Sequence, residues 1–337
     1  MVDEAALLRR LRSAFEPAHA QLTADDDAAV LPGQGSVAIT TDMLIEGVDF
    51  TSTTPANFIA DKALAANLSD LAAMGATPSS FLLAIGFPSA FEQQFDAFVA
   101  ALARHARRHR IELVGGDLSS ADRLVISITA LGSLDSGRAL KRSDAVSGDR
   151  IYLSRPVGGA AAGLTLLSKG WAMSGDGRVT EPASGPGSYG YGQRELASSA
   201  LRRQLSPEAE VALGVALASM PEIHACIDLS DGLSSDLARL CKASAVGALI
   251  DYERIPQFPD LDRTGATLGI NSDAASLHGG EEYALLFTST LRESELSSRL
   301  GRPVYAIGKV TRDERIVLSR NGKETEMPIE GYDHFRS

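Results

Sequence analysis

The stretch that decides the fold is Pro55–Pro78, PANFIADKALAANLSDLAAMGATP. It has a proline at its start and a glycine followed by a second proline at its end, which are the usual signals for the limits of a helix. Leu64, Leu68 and Leu71 recur at spacings of four and three, so we expect them on one buried face. Asp70 lies on a neighbouring stripe. A rigid helix therefore holds this carboxylate at the edge of the core.

Short apolar runs alternate with helical segments on both sides of this stretch, as is typical of an α/β or α+β chain. A small-residue helix is predicted over residues 158–170, and a final hairpin turns at Asn321 and Gly322. The predicted strands cover residues 36–42, 79–87, 111–116, 123–134, 149–154, 225–230, 247–255, 283–290 and 304–310.

The chain has 337 residues, enough for two domains with separate cores. The polar segment 134–149 follows a completed strand, so we predict domains over residues 1–138 and 139–337. Residues 169–194 are rich in glycine, serine and proline, which predicts a long loop. Tyr189 and Tyr191 in that loop suggest a lid over a substrate.

Composition limits the possible functions. The net charge of −11 argues against a nucleic-acid surface, which requires concentrated lysine and arginine. No run of apolar residues is long enough to span a membrane, and the N-terminus predicts an amphipathic helix of mixed charge. We therefore expect a cytoplasmic protein with no membrane partner. Cys226 and Cys241 lie in apolar patterns, which predicts buried, reduced thiols.

Six aspartates stand at the predicted ends of strands and helices. Two like charges about 5 Å apart repel by about 3 kcal/mol at an effective dielectric near 20, so a cluster of them needs cations. Each aspartate alone is explained equally well as a helix cap or turn residue. The set, however, repeats at carboxyl ends of strands, where α/β folds place ligands. These residues are Asp27, Asp42, Asp70, Asp117, Asp228 and Asp231.

Hard oxygen ligands of this kind hold Mg²⁺ against polyphosphate, which favours nucleotide phosphate chemistry. Thr40 and Thr41 precede Asp42, and hydroxyls at such positions are able to complete a magnesium shell. Arg142 is a candidate for a forked contact to nucleotide phosphate or an ordinary surface arginine. Glu281 follows two glycines and is either a substrate contact or a turn residue.

Eight segments in order along the chain resemble the thiamine-monophosphate kinases, ATP-dependent members of the superfamily that includes aminoimidazole ribonucleotide synthetase. Each segment alone is unspecific, but the ordered set is a strong signal. The segments are DDAAVL, ITTDMLIEGVDF, KALAANLSDLAAMGATP, LVGGDLSS, LKRSDAVSGD, IDLSDGL, HGGEEYALLF and GYDHF.

The resemblance implies transfer of the γ-phosphoryl group of ATP to thiamine monophosphate with several Mg²⁺ ions. It also implies an aminoimidazole ribonucleotide synthetase-like fold: an N-terminal α/β domain whose sheet pairs across a homodimer, then an α+β domain. The metal would be held by Asp27, Thr40, Thr41, Asp42, Asp70, Asp117, Asp228 and Asp231. The ATP phosphates would be lined by Gly116, Asp117, Arg142 and Ser230, with Asp42, Asp117 and Arg142 catalytic, and the thiamine part by Asp49, Glu281 and Tyr332.

The sequence also departs from the family pattern. Asp25 replaces a usual glycine, Asp49 a usual histidine and Glu282 a usual aspartate, and Val99 stands where an aromatic residue is usual. Two alternatives stay open: a related ATP-dependent ligase of the same superfamily, and a non-catalytic nucleotide-binding protein. The terminal GYDHF and the GGEEY motif favour the kinase.

Overall fold

A computed structural model describes residues 28–31, 36–183 and 189–332. The predicted N-terminal helix, Asp25 and Asp27 lie outside these residues. The described chain forms one five-stranded sheet and one seven-stranded sheet, each with its own apolar core. Within these residues the predicted long strands and helices are present, and the α/β plus α+β class is confirmed.

The first sheet has the strand order β1-β2-β5-β3-β4, and only the β3–β4 pair is parallel. Two helices, α1 (Ala56–Ala73) and α2 (Glu92–His109), pack on one of its faces. The strands are β1 (Ala29–Leu31), β2 (Val37–Ile45), β3 (Thr77–Phe87), β4 (Glu112–Ser120) and β5 (Val125–Ser133).

The second sheet has the order β14-β13-β10-β12-β6-β11-β9 and a short hairpin, β7–β8, beside it. Its strands are β6 (Arg150–Leu153), β9 (Ile223–Asp228), β10 (Gly247–Asp251), β11 (Leu285–Ser289), β12 (Tyr305–Thr311), β13 (Ile316–Arg320) and β14 (Lys323–Glu326), and the hairpin is β7 (Ala172–Met173) and β8 (Val179–Thr180). The helices are α3 (Gly159–Ser168), α4 (Tyr191–Leu205), α5 (Val211–Ala218), α6 (Leu233–Ser244), α7 (Leu261–Thr264), α8 (Ser272–His278) and α9 (Glu293–Leu300).

Helix α1 is the predicted central helix, and it is buried on all sides rather than along one stripe. Leu64, Leu68 and Leu71 are 0% exposed. Only Asn57 and Asp70 of its eighteen residues are partly exposed. The reason is that α1 packs against the first sheet and also against β9 and α5 of the second domain. The helix therefore links the two cores.

The segment 169–194 is not one irregular loop. It contains the β7–β8 hairpin, and α4 begins at Tyr191. Tyr189 packs against Trp171 with ring centroids 4.7 Å apart, and Tyr191 is 80% exposed. Neither tyrosine lines the carboxylate cavity described below, and the lid suggested for them stays a prediction.

Two smaller predictions, the hairpin turn and the buried thiols, are confirmed. Asn321 and Gly322 both have positive φ, as a tight two-residue hairpin turn requires. Cys226 and Cys241 are buried and not disulfide-bonded. Across the described ranges, no helix combines the length and apolarity needed to cross a membrane.

Close packing between α1 and α5 gives a stability test at Gly214. A Cβ added there would lie 2.0 Å from the carbonyl oxygen of Ala72. Because two helices would have to separate, Gly214→Ala is expected to lower the free energy of unfolding by about 1–3 kcal/mol. Urea denaturation measures this change in the free energy of unfolding.

The matched control is Gly192→Ala in α4, where a Cβ meets nothing within 4 Å. Alanine is the better helix former, so this variant is expected to gain up to about 1 kcal/mol. Equal effects of the two substitutions would contradict the close α1–α5 contact.

Candidate active site

A cavity of about 490 Å³ opens between the two domains. Its walls come from β2 and α1 of the first domain, and from α3, α4, the end of β9 and the segment around Gly280 of the second. Six carboxylates line it: Asp42, Asp49, Asp70, Asp228, Asp231 and Glu281. Acidic side chains that lie far apart in the sequence thus converge on one cleft.

Asp70 and Asp228 are held by hydroxyl donors. The hydroxyl of Thr40 donates a hydrogen bond to Oδ2 of Asp70. The hydroxyl of Ser69 donates to Oδ2 of Asp228 at 2.6 Å, which joins α1 directly to β9 of the other domain. Hydrogen bonds of this kind favour the ionised carboxylate. They also fix the direction of each carboxylate before any ligand binds.

Glu281 is held by a buried ion pair. The Lys62 ammonium lies 2.5 Å from Oε1 of Glu281 and donates to the carbonyl of Asp49 at 2.8 Å. The amide of Gln204 donates to the other oxygen, Oε2. Lys62 is only 5% exposed. This contact again crosses from α1 to the second domain. Removing either partner would leave the other charge unpaired, which would be strongly destabilising.

The backbone around Glu281 is in an unfavourable conformation. Glu281 has φ 59° and Tyr283 has φ 47°, the left-handed region that side chains other than glycine rarely adopt. Main-chain hydrogen bonds hold the segment against the 229–231 loop, from Glu281 to Ser230 at 2.7 Å and from Tyr283 to Leu229 at 2.8 Å. Such strain often occurs at functional sites, where surrounding contacts enforce it.

The surroundings of Tyr283 reflect the negative charge of the cavity. Burial raises the pKa of its hydroxyl well above the ordinary value, and nearby negative charges raise it further. The hydroxyl is therefore a protonated hydrogen-bond donor at neutral pH. The charges that raise its pKa are those of Glu281, Asp42, Asp228 and Asp70.

Arginines stand at the Asp231 end of the cavity. The Arg239 guanidinium pairs with Asp231 and also with Asp236, at 2.8 Å. Burial, and then the charge of Asp231, raise the pKa of Asp236 to about 7, although it accepts two backbone N–H bonds at the start of α6. Arg142 is close enough for its charge to oppose protonation of Arg239. Arg142 thus lies beside the cavity rather than in its lining.

The structure gathers much of the predicted set but not all of it. Thr41 and Asp117 lie on the face of the first sheet that is open to solvent, opposite Thr40 and Asp42, as the strand register shows. The Thr41 hydroxyl donates to the carbonyl of Ile128 at 3.0 Å. The predicted residues that line the cavity are Asp42, Asp49, Asp70, Asp228, Ser230, Asp231, Glu281 and Tyr332, and those that do not are Thr40, Thr41, Gly116, Asp117 and Arg142.

Glu282, a departure from the family pattern, faces away from the cavity. Its Oε1 accepts the backbone N–H groups of Gly158 and Ala160, both at 2.8 Å, at the first turn of α3. Burial raises the pKa of this carboxyl, while Arg203 and Arg155 lower it. This side chain therefore caps a helix.

Lys62, Gln204 and Tyr283 were missed in the sequence. Lys62 had one available signal, since it is the only basic residue of α1. Tyr283 follows the glycine-rich motif directly, but nothing local shows which way it points. Gln204 carries no signal, because its role depends on a contact with a segment 77 residues away.

The donor set fits Mg²⁺ shared with phosphate. Among the residues that the structure describes, no three carboxylate, imidazole or thiol groups stand close enough to hold a metal ion on their own. Mg²⁺ is usually bound by one or two carboxylates together with water and substrate phosphates. Carboxylates spread along a cavity wall suit that mode better than a dedicated cage.

Comparison with known proteins agrees with this architecture. The family models for the N-terminal and C-terminal domains of AIR synthase related proteins match residues 25–134 and 146–321. The chain is 35% identical to the thiamine-monophosphate kinase of Salmonella typhimurium, over 92% of this chain and 90% of that protein.

Two solved structures are also similar. One is AaThiL complexed with AMPPCP and TMP, at 26% identity and TM-score 0.82, covering 98% of this chain and 97% of that one. The other is the thiamine-monophosphate kinase of Stenotrophomonas maltophilia, at 33% identity and TM-score 0.73, covering 96% and 98%. The chain therefore belongs to the AIR synthase related protein family and, within it, to the thiamine-monophosphate kinases.

Proposed function

We propose that the protein transfers the γ-phosphoryl group of ATP to the phosphate of thiamine monophosphate, giving thiamine diphosphate and ADP. The observation that carries this proposal is the carboxylate-lined cavity between the domains, in a chain that matches kinases along nearly its whole length. A related structure complexed with AMPPCP and TMP supports both ligands. The cytoplasm is the expected location, where ATP is available and thiols stay reduced.

The reaction joins two anions, so position and charge dominate its barrier. The acceptor is a phosphate monoester that is largely ionised near neutral pH, so one of its oxygens attacks the γ-phosphorus without a general base. The bond from the γ-phosphorus to the oxygen of the β-phosphate breaks, and ADP leaves. Mg²⁺, when bound, supplies the positive charge that brings the two phosphates together.

Each group of residues has its proposed task. Asp42, Asp70, Asp228 and Asp231 would hold Mg²⁺. The family also implies Asp27, Thr40, Thr41 and Asp117 as ligands, but Thr41 and Asp117 lie on the opposite face of the first sheet from this cavity. Gly116, Asp117, Arg142 and Ser230 would contact ATP, and Asp49, Glu281 and Tyr332 the thiamine part. The Tyr283 hydroxyl, protonated beside four carboxylates, is able to donate to a ligand oxygen.

We also propose a homodimer that pairs along β4, at the edge of the first sheet. Strand β4 is an edge strand and is exposed along all nine residues. Leu113, Val114 and Leu118 on it are 55%, 60% and 63% exposed. An exposed apolar edge strand is a site for pairing with another chain. We also propose that the domain boundary lies between residues 138 and 139, in the segment between β5 and β6.

Removing one carboxylate should abolish activity without harming the fold. Asp42→Asn is expected to lower kcat by about 10²- to 10³-fold, the usual loss when a charge-stabilising group is removed. Because it also relieves like-charge repulsion, the melting temperature without metal should stay equal or rise. Thiamine diphosphate formation and thermal unfolding are measured together.

The control for Asp42→Asn is Asp262→Asn, an exposed aspartate on α7 that does not line the cavity. It should leave both readouts unchanged. EDTA should abolish wild-type turnover. Retained activity in Asp42→Asn, or in EDTA, would contradict the proposed metal role.

Asp49 offers a test of charge complementarity with the cationic thiazolium ring. Its Oδ2 accepts the backbone N–H of Ile45 at 2.7 Å, which an asparagine oxygen is able to replace. Asp49→Asn should therefore keep the loop while raising the Kd for thiamine monophosphate about 3- to 10-fold, that is by about 0.7–1.4 kcal/mol. Isothermal titration calorimetry measures this Kd, and an unchanged value would contradict the proposed charge complementarity.

The dimer is tested at β4. Leu118→Arg places a charge on the proposed interface and is expected to give a monomer in analytical ultracentrifugation, while the wild type sediments as a dimer. Tyr191→Arg changes a side chain that is 80% exposed on α4 and should leave the dimer intact. A wild-type monomer at micromolar concentration would overturn the proposal.

A further inference from the structure

The segment that carries Arg142 depends on contacts outside itself. Residues Arg142–Asp144 form a single turn of 3₁₀ helix, with no side-chain cap at Lys141. One short turn makes too few hydrogen bonds of its own to hold its conformation. It packs instead against β9 and α6. The direction of the Arg142 side chain is therefore set by the contacts that these two elements make with the turn.

Ser244, the last residue of α6, contacts both ends of this turn. Its hydroxyl donates a hydrogen bond to the carbonyl of Arg142 at 2.6 Å and accepts one from the N–H of Ala145 at 3.0 Å. These two backbone groups are three residues apart, which is the pair that a 3₁₀ turn itself joins. A hydroxyl is able to donate and accept at once. A single side chain thus fastens the whole turn to α6.

Two further hydrogen bonds hold the chain on either side of the turn. Before it, the N–H of Cys226 in β9 donates to the carbonyl of Lys141 at 3.2 Å. After it, the N–H of Val146 donates to Oδ2 of the buried Asp149 at 3.0 Å. These bonds fix where the segment begins and ends. The serine hydroxyl bonds the carbonyl of the arginine itself, so its loss has the most direct effect on the arginine side chain.

Helix α6 also holds Asp231, which lines the carboxylate cavity. The buried Asp236 in its first turn accepts the backbone N–H groups of Asp231 and Gly232, both at 3.0 Å. Arg239, further along α6, pairs with the Asp231 carboxylate, and the Arg142 charge lies close enough to act on Arg239. The Arg142 guanidinium therefore lies towards the Asp231 end of the helix. One helix thus sets the spacing between a carboxylate and a guanidinium.

We propose that Ser244 is a positioning residue: its hydroxyl holds the 142–144 turn so that Arg142 points at the phosphates of ATP. The proposal rests on the proposed function, in which Arg142 contacts ATP. Ser244 does not line the carboxylate cavity, so we expect it to act through Arg142. The planar guanidinium bonds phosphate oxygens in pairs, which requires one orientation of the side chain. A loosened turn would lose that orientation.

Binding of the non-hydrolysable ATP analogue AMPPCP with Mg²⁺, measured by isothermal titration calorimetry, tests this role. Ser244→Ala removes both hydrogen bonds and is expected to raise the Kd for AMPPCP about 5- to 10-fold. The Kd for thiamine monophosphate should stay within about twofold, because Arg142 is assigned to the other ligand. The matched control is Ser219→Ala, which removes a hydroxyl that bonds the Ala216 carbonyl at 2.7 Å at the end of α5. It should leave both values unchanged.

A double-mutant cycle shows whether Ser244 acts through the Arg142 side chain. Arg142→Ala alone should raise the Kd for AMPPCP about tenfold or more, since it removes a charged contact to phosphate. Adding Ser244→Ala to Arg142→Ala should change that Kd by less than about twofold, because the side chain that the serine positions is already absent. Ser244→Thr keeps the hydroxyl at a partly exposed position, so its Kd for AMPPCP should stay within about threefold of the wild-type value.

The outcomes separate this proposal from the proposed function. An unchanged Kd for AMPPCP in Ser244→Ala or in Arg142→Ala overturns the positioning role, and so do additive losses in the cycle. An equal loss of affinity for both ligands in Ser244→Ala also overturns it, because that result means general loosening of the fold. So does a loss in Ser244→Thr as large as in Ser244→Ala. A wild type that forms no thiamine diphosphate, yet shows the non-additive losses, overturns the kinase and supports the positioning of Arg142.

Discussion

The structure depends on the burial of charge in helix α1. A buried charge or polar group costs several kcal/mol unless a partner satisfies it. Along α1, Asp61 accepts from the Ser206 hydroxyl at 2.8 Å, Lys62 pairs with Glu281 at 2.5 Å and Ser69 donates to Asp228 at 2.6 Å. Every one of these partners belongs to the second domain. The two domains are thus held in one relative position, because separating them would leave these groups unsatisfied.

This constraint explains how an acidic cleft is kept open without metal. The carboxylates repel one another, and the segment from Glu281 to Tyr283 adopts a conformation that most side chains avoid. Neither feature favours folding, so the apolar cores on both sides of α1 must supply the stability. A fold that carries such a site is less stable than it would otherwise be, and the trade-off is common where function requires charge.

Local sequence rules predicted the helices and strands, and these carry part of the side chains that line the cavity. The end of β9 and one stripe of α1 were predicted well enough to place Asp228 and Asp70 at the cavity, whereas β2 continues past its predicted end at Asp42 to Ile45. Pairwise contacts across the domains were beyond such rules: Lys62 and Gln204 meet Glu281 only because α1 and α4 converge on it.

The same limit explains where the structure differs from the predictions made from the sequence. Thr41 and Asp117 follow the strand-end pattern, but pleating and sheet order place them on the open face. The segment 169–194 has a composition typical of loops, yet Trp171 and Met173 are each only 3% exposed, and their burial orders a hairpin there. A short strand pair held by two apolar anchors has too little periodicity to be recognised in advance.

Catalysis and substrate recognition make different demands on this site. Carboxylates that hold Mg²⁺ against phosphate would serve an ATP-dependent ligase as well as a kinase, so that part of the site identifies a reaction class and not an acceptor. The acceptor has to be chosen by surfaces that do not touch phosphate. Beside the carboxylate cavity, residues of the 47–59 segment and of the β7–β8 hairpin line a second, more apolar cavity, and the two segments meet at the Asn57–Gly175 hydrogen bond. Because Asn57 lies at the start of α1 and Asp70 near its end, one rigid helix fixes the position of this contact relative to the carboxylate cavity.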